Sequence, residues 1–176
     1  QLHRLSMEGA DLLIQLTPVN NGEYRSSGLE EIEFLLATNP GQPHKMLAKI
    51  ASGGELSRVS LAIQVVAASH SKIPTLVFDE VDVGIGGSTA DIVGQLLKQL
   101  GERGQVISVT HQPQVAAHAH HHYRASKVIG DNSAESLMSA LDHQQRIEEL
   151  ARMLGGAKVT DQTLLHASEL LSLAST

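Results

Sequence analysis

The sequence predicts an α/β fold: a mostly parallel sheet flanked by helices, preceded by an N-terminal β-hairpin. Three observations predict it. Two short apolar runs, "IPTLVFDE" (73–80) and "QVISVTH" (105–111), lack polar alternation and read as buried parallel strands. Helical patterns follow each of them, which gives the strand–helix–strand–helix order of a parallel sheet. Upstream, two strand-like runs flank a stretch of turn residues, "NNGEYRSSG" (20–28).

The elements follow in order. Residues 1–8 read as the end of a helix, with Leu2 and Leu5 on one side and Gly9 as its stop. "DLLIQLTPV" (11–19) and "EEIEFLLAT" (30–38) read as the two hairpin strands, and "NPGQP" (39–43) as a loop. From Glu55 to about His70 the apolar positions Leu56, Val59, Ile63 and Val66 recur at helical spacing. Residues 88–104 read as a helix with Ser88 or Thr89 as N-cap. A short helix starting at a proline (112–120), two strands (121–129 and 134–141) and two closing helices (143–154 and 160–173) complete the chain. No repeat, low-complexity segment or linker interrupts it, so residues 1–176 read as a single lobe.

At 176 residues the chain is long enough to bury a core without staples. Its hydrophobic content of 41% places it among globular proteins, and with 2% aromatics the core must rest on aliphatic residues. A formal charge of −6 argues against a self-sufficient nucleic-acid binder. The absence of cysteine excludes disulfides, thiolate metal sites and thiol nucleophiles, and fits a reducing compartment. No apolar run approaches the ~20 residues of a membrane span, so no membrane partner is expected. The first residue is Gln, which suggests a fragment of a longer protein.

Three short motifs carry chemistry. The apolar strand 73–80 stops at Asp79-Glu80, and ligands of α/β sheets gather at the carboxyl ends of strands. One carboxylate there could hold a hydrated Mg²⁺ and the other orient or deprotonate a water; two solvated acids at a strand end would look the same. The next strand ends at His111, which neighbouring parallel strands would bring close to Glu80, where it could contact a phosphate oxygen or a polarised water. Finally, "KIASGGELSR" (49–58) puts two glycines where a helix begins. Ser52 and Glu55 already form a capping pattern, so Gly53 and Gly54 need another reason. Either they loosen the helix entry, or they leave its positive end bare for an anion.

Taken in order, these pieces resemble the signature motif, Walker B strand, D-loop ("VDVG") and switch histidine of ABC-type ATPases. Longer stretches, "KIASGGELSRVSLAIQVV", "LVFDEVDVGIGG", "VTHQPQVAAHAHHHY" and "ELARMLGG", resemble the RecN family, SMC-like DNA repair ATPases of that superfamily. The resemblance spans nearly the whole chain and implies the C-terminal lobe of an ATPase head. Residues 1–8 would end a coiled-coil helix, 11–38 form the hairpin, and 49–70 carry the signature and its helix. Walker B to switch histidine would occupy 73–111, and the closing strands and helices 112–176.

By that resemblance Ser52, Gly53, Gly54 and Glu55 would approach ATP bound by a partner head. Asp79 would help hold Mg²⁺, and Glu80 would be the catalytic base. Asp82 would signal across the dimer, and His111 would sense the γ-phosphate. The implied partners are the protein's own N-terminal half carrying Walker A, a second head, and DNA, in the cytoplasm near the nucleoid. Walker A itself requires a Gly-Lys pair, and none of the lysines (45, 49, 72, 98, 127, 158) follows a glycine. The chain alone is therefore expected to be inactive. The alternatives are the same part of another SMC-like protein or transporter subunit, or a non-catalytic docking module.

Remaining motifs weigh less. His118, His120 and His122 would share a face if that segment were extended, a spacing that could bind Zn²⁺ or Ni²⁺ but alone is weak. "GIGGST" (84–89) lacks dinucleotide-loop spacing. "EELARMLGG" (148–156) reads as an ordinary amphipathic helix, with Leu150, Met153 and Leu154 inward.

Overall fold

The computed structural model describes the chain apart from residues 20–25, 27, 51–52, 71–72, 80, 130–133, 157 and 176, and apart from the side chains of 69, 70 and 129. Its strands and α-helices run β1 (Asp11–Pro18), β2 (Glu30–Ala37), β3 (Lys45–Met46), α1 (Gly53–His70), β4 (Thr75–Asp79), α2 (Gly87–Gly101), β5 (Gln105–Val109), α3 (Pro113–Ala117), β6 (Tyr123–Ile129), β7 (Ala134–Ala140), α4 (His143–Gly155) and α5 (Asp161–Ser175). The sequence reads as one lobe, but the fold groups into two compact units. One is Gln1–Ala67 with Val83–Ile85; the other is Ala68–Asp82 with Gly86–Thr176.

In the first unit β1 and β2 form the expected hairpin, antiparallel from Asp11↔Ala37 to Pro18↔Glu30. The two-residue β3 pairs with β2 at Leu35↔Met46, a strand too short to leave a pattern in sequence. One face of β2 delivers Leu36 to a core shared with Met7, Ala10 and Val59 of α1. Residues 1–8 are helical only over the 3-10 turn His3–Leu5, which Ser6 closes at φ 59°. Gly9 does not stop a helix. A Cβ there would sit 2.4 Å from Cδ of Pro40, so the glycine lets the loop after β2 pass.

The second unit holds the parallel pair β4–β5, in register from Thr75↔Gln105 to Asp79↔Val109. Alternate residues define its two faces. Phe78 is buried (4% exposed), and α2 packs against β5. Val77 on the other face is 67% exposed, with Ile107 and Val109 open beside it. Both strands were expected to be buried; among the described residues Val77, Ile107 and Val109 on one face are exposed. Helix α2 starts at Gly87 with Gly86 as N-cap, so Ser88 and Thr89 lie inside the first turn and do not cap it. Helix α4 is capped instead by Asp142, whose carboxylate accepts from Gln145 N–H at 2.8 Å, while the Gln145 side chain accepts from Asp142 N–H at 3.0 Å. Helices α4 and α5 pack through Leu150, Ala151, Ala167 and Leu171, with Ala116 and Ala117 of α3 completing that core. β6 and β7 form an antiparallel hairpin from Tyr123↔Ala140 to Ile129↔Ala134.

Candidate functional site

Parallel register decides what gathers at the end of β4–β5. Asp79 pairs with Val109, so the two strands end at the same edge of the sheet. Asp79 is exposed there. Glu80, the expected base, lies outside the described residues. Three residues beyond β4, Asp82 is 0% exposed, and its Oδ2 accepts a close hydrogen bond from the Thr110 hydroxyl. Thr110 Oγ1 in turn accepts from the Gln112 N–H at 2.9 Å. That turn aims His111 outward, with a side chain 63% exposed. Its Nδ1 lies 3.7 Å from Asp82 Oδ1, and its Nε2 lies 3.2 Å from the Gln112 amide nitrogen. The neighbour of His111 among the described residues is thus Asp82. Asp82, expected to act across an interface, has its side chain buried beneath the strand ends.

At the N-terminus of α1, Ser52 lies outside the described residues, and with it the capping pattern to Glu55. The helix opens directly on the two glycines. Among the described residues, a Cβ at Gly53 would meet nothing within 4 Å. A Cβ at Gly54 would lie 3.5 Å from the carbonyl oxygen of Gly84, a residue at φ +72° in the loop after β4. The two glycines therefore have different surroundings: Gly53 is bare, and Gly54 rests against backbone. Glu55 supplies an acid to the first turn, favourable at the positive helix end. Sequence reasoning missed Arg58. Its Nε donates to Gly54 O at 3.1 Å, and its guanidinium reaches the Leu5 and Ser6 carbonyls at 3.4 Å, which pins the first turn.

The histidine cluster is not extended. His118 follows the short helix α3, and β6 begins only at Tyr123. Instead of joining His120 and His122 on one face, His118 is buried (8% exposed), and its Nε2 is 2.7 Å from Asp91 of α2. It borders a cavity of about 440 Å³ lined also by Ser88, Gln95, Gln114 and Leu170. Among the described residues no three metal-ligating side chains come together.

A second group missed from sequence lies on α4. Glu149 is buried and bonded by Arg152 at 2.6 and 3.0 Å, with Arg124 of β6 at 3.7 Å. The Arg152 hydrogen bonds hold its carboxyl below the usual range, against the opposing effect of burial. Burial, helped by the Arg146 charge, lowers His122 and keeps it neutral. Arg146 itself donates to the carbonyls of Ala119 at 2.7 Å and Ala117 at 3.3 Å, closing the end of α3.

Comparison with known proteins shows what the chain is similar to. No family model matches the chain. It is 56% identical over 170 residues to the DNA repair protein RecN of Xylella fastidiosa (strain 9a5c), covering 97% of this chain and 30% of that protein. It is 49% identical over 172 residues to RecN of Haemophilus influenzae, covering 98% of this chain and 31% of that protein. The chain thus spans under a third of the length of these relatives. Among solved structures, an SMC ATPase studied for ATP-driven dimerisation and DNA-stimulated activation superposes at TM-score 0.61 and 20% identity, covering 87% of this chain and 86% of that one. The Smc head domain with coiled coil and joint from Pyrococcus yayanosii superposes at 0.64 and 22%, covering 85% of this chain and 27% of that one. The chain therefore belongs to the RecN family of bacterial DNA repair proteins and is built on the fold of an SMC ATPase head.

Proposed function

We propose that this chain is the C-terminal part of an ATPase head that hydrolyses ATP between two engaged heads and serves DNA repair. The observation that carries the reading is the shared edge of β4 and β5, where Asp79 and the turn Thr110-His111 leave the sheet together. Phosphoryl transfer asks a protein mainly for positioning and electrostatics, and this edge carries an exposed carboxylate at the end of one strand and an imidazole just after the end of the other. An exposed carboxylate at a strand end suits Mg²⁺, which takes oxygen ligands and keeps several waters. Bound there, the ion would neutralise charge on the phosphates. Glu80 would be the base for the attacking water, and His111 would face the phosphate or that water.

The open first turn at Gly53 supports a role for Ser52, Gly53, Gly54 and Glu55 toward a nucleotide carried by the other head. Asp82 would belong to the loop that reports on that nucleotide. Walker A would come from the N-terminal part of the same head, docked on the uncovered face at Val77, Ile107 and Val109, and the chain alone would be inactive. DNA would be the partner of the intact protein, acting in the cytoplasm. No helix among the described residues is long and apolar enough to cross a membrane.

The test is Glu80→Gln in an intact RecN-family protein carrying this chain. ATP binding is expected to persist, turnover to fall by about 10²-fold or more, and the heads to stay engaged. Unchanged turnover, followed by phosphate release, would remove Glu80 as base. Loss of ATP binding would show that it acts before the chemical step.

A further inference from the structure

We propose that the cavity between α2, α3 and α5 is a binding site for an aliphatic ammonium group, seated on His118, Gln114 and Asp91 with its alkyl chain against Leu170 and Leu173. The proposal does not rest on the ATPase reading.

Residues one helical turn apart build the site from three sides. On α2 the Gln95 side-chain nitrogen donates to Asp91 Oδ2 at 2.9 Å. At the end of α3, Gln114 and His118 stand one turn apart in helical backbone and so share a face. On α5, Leu170 and Leu173 supply an apolar wall. All of these side chains border one cavity of about 440 Å³, which lies in the range of roughly 300–1,000 Å³ typical of small-molecule pockets.

The positions of the protons decide what the cavity takes. His118 Nε2 lies 2.7 Å from Asp91 Oδ1, and a carboxylate can only accept, so Nε2 carries the hydrogen. In the neutral ring Nδ1 is then an acceptor. His118 is 8% exposed, and its Nδ1 is buried with no hydrogen-bond partner among the described residues. The Gln114 carbonyl oxygen Oε1 is buried and equally unpartnered. Two buried acceptors without donors are costly, and the cavity they border is where a donor can enter. Both Asp91 oxygens are bonded, but its charge remains, and its side chain is 39% exposed. A primary ammonium answers all three groups, because it brings three N–H donors, no acceptor and a positive charge. Its alkyl chain would cover Leu170 and the exposed Leu173 on the rim.

Two other occupants fit less well. The start of α2, at Gly87 and Ser88, also borders the cavity, and helix N-termini favour anions. That end carries only about half an elementary charge, against the full charge of Asp91 and two acceptors that repel an anion. Water satisfies the two acceptors but leaves the leucine wall wet and the carboxylate without a counter-charge.

The probe is n-butylamine, the lysine side chain cut free, titrated into the ¹⁵N-labelled chain at mildly alkaline pH and constant ionic strength. Saturable shifts are expected at the amides of Asp91, Gln114, His118 and Leu170. n-Butanol keeps the chain and loses the charge, so it should bind about tenfold or more weakly. Inorganic phosphate should shift nothing there. Gln114→Leu removes one acceptor and should weaken the amine about tenfold or more. If Gln114→Leu fails to fold, Leu173→Arg decides, since that exposed residue can change without unfolding the chain and a fixed cation on the rim should weaken the amine. The proposal is overturned by saturable binding of phosphate in place of the amine, by no shift with the amine, or by n-butanol binding as well as the amine. Undiminished amine binding in a folded Gln114→Leu, or in Leu173→Arg, overturns it too. Putrescine and a lysine blocked at both ends then separate the sources of the group. Blocked lysine binding as tightly as n-butylamine assigns the cavity to a lysine side chain of a protein. Putrescine binding while blocked lysine is shut out assigns it to a free polyamine.

Discussion

Gly94 shows how much a single residue can owe to a distant one. It lies inside α2, where alanine would ordinarily be favoured by about 0.5–1 kcal/mol. A Cβ there would fall 2.5 Å from Cδ2 of His118 and 3.1 Å from the Gln114 carbonyl. The His118 ring, held by Asp91, occupies that space. Gly94→Ala is therefore expected to destabilise the protein by about 1–3 kcal/mol, against the helix propensity. Urea unfolding checks the sign, and a stabilised variant would mean that the ring moves aside freely. At this scale the sequence was partly legible. Asp79 and His111 could be placed by motif and register, because a strand and its end are read from local pattern. The burial of Asp82, the anchoring of His118 and the clamp of Arg58 could not. Each depends on a partner supplied by another turn of the chain, and a polar residue reads as exposed until its partner is known.

Elements are where periodicity serves best, and most helices and strands lie within a few residues of their expected positions. The exceptions have physical reasons. β3 has only two residues, and α2 takes its N-cap from a glycine with no side-chain signal. The cap of α4 was legible in retrospect, since Asp142 followed by Gln145 repeats the logic of a capping box. Asp142→Ala should cost about 1 kcal/mol, measurable as a lowered urea midpoint at constant m.

The same helix predicts a pH dependence. Glu149 titrates lower folded than unfolded, so the unfolded chain binds its proton first and stability is lost as pH falls below about 4.5. His122, lowered mainly by burial, works in the same sense from about pH 6.5 downward, because the unfolded ring charges first. Stability should therefore decline in two stages on acidification. Glu149→Gln should flatten the lower stage and deepen the upper one, because the Glu149 charge favours the protonated His122 ring. A single stage near pH 4 in the parent would count against the neutral, buried His122.

For the whole molecule the open face of β4–β5 is the governing feature. Val77→Lys should change the stability of the chain by no more than about 0.5 kcal/mol, because the side chain already meets solvent. It should nevertheless prevent co-purification with the N-terminal part of the same head. Retained association would move the docking surface elsewhere. The fold class was legible from strand order, but the two-unit grouping was not, since no linker or change of composition marks it. The lack of cover was equally hidden: an apolar strand looks the same in sequence whether its second layer comes from nearby or from far away.

That uncovered face is also a matter of time. β4 and β5 are joined through a single helix, so they can pair early, by local search. Any cover must arrive by a longer one. Between the two events a stripe of Val77, Ile107 and Val109 stands in water, open to whatever apolar surface diffuses by. The yield of the assembled head would then be set by the race between its own second layer and every other sticky surface in the cell.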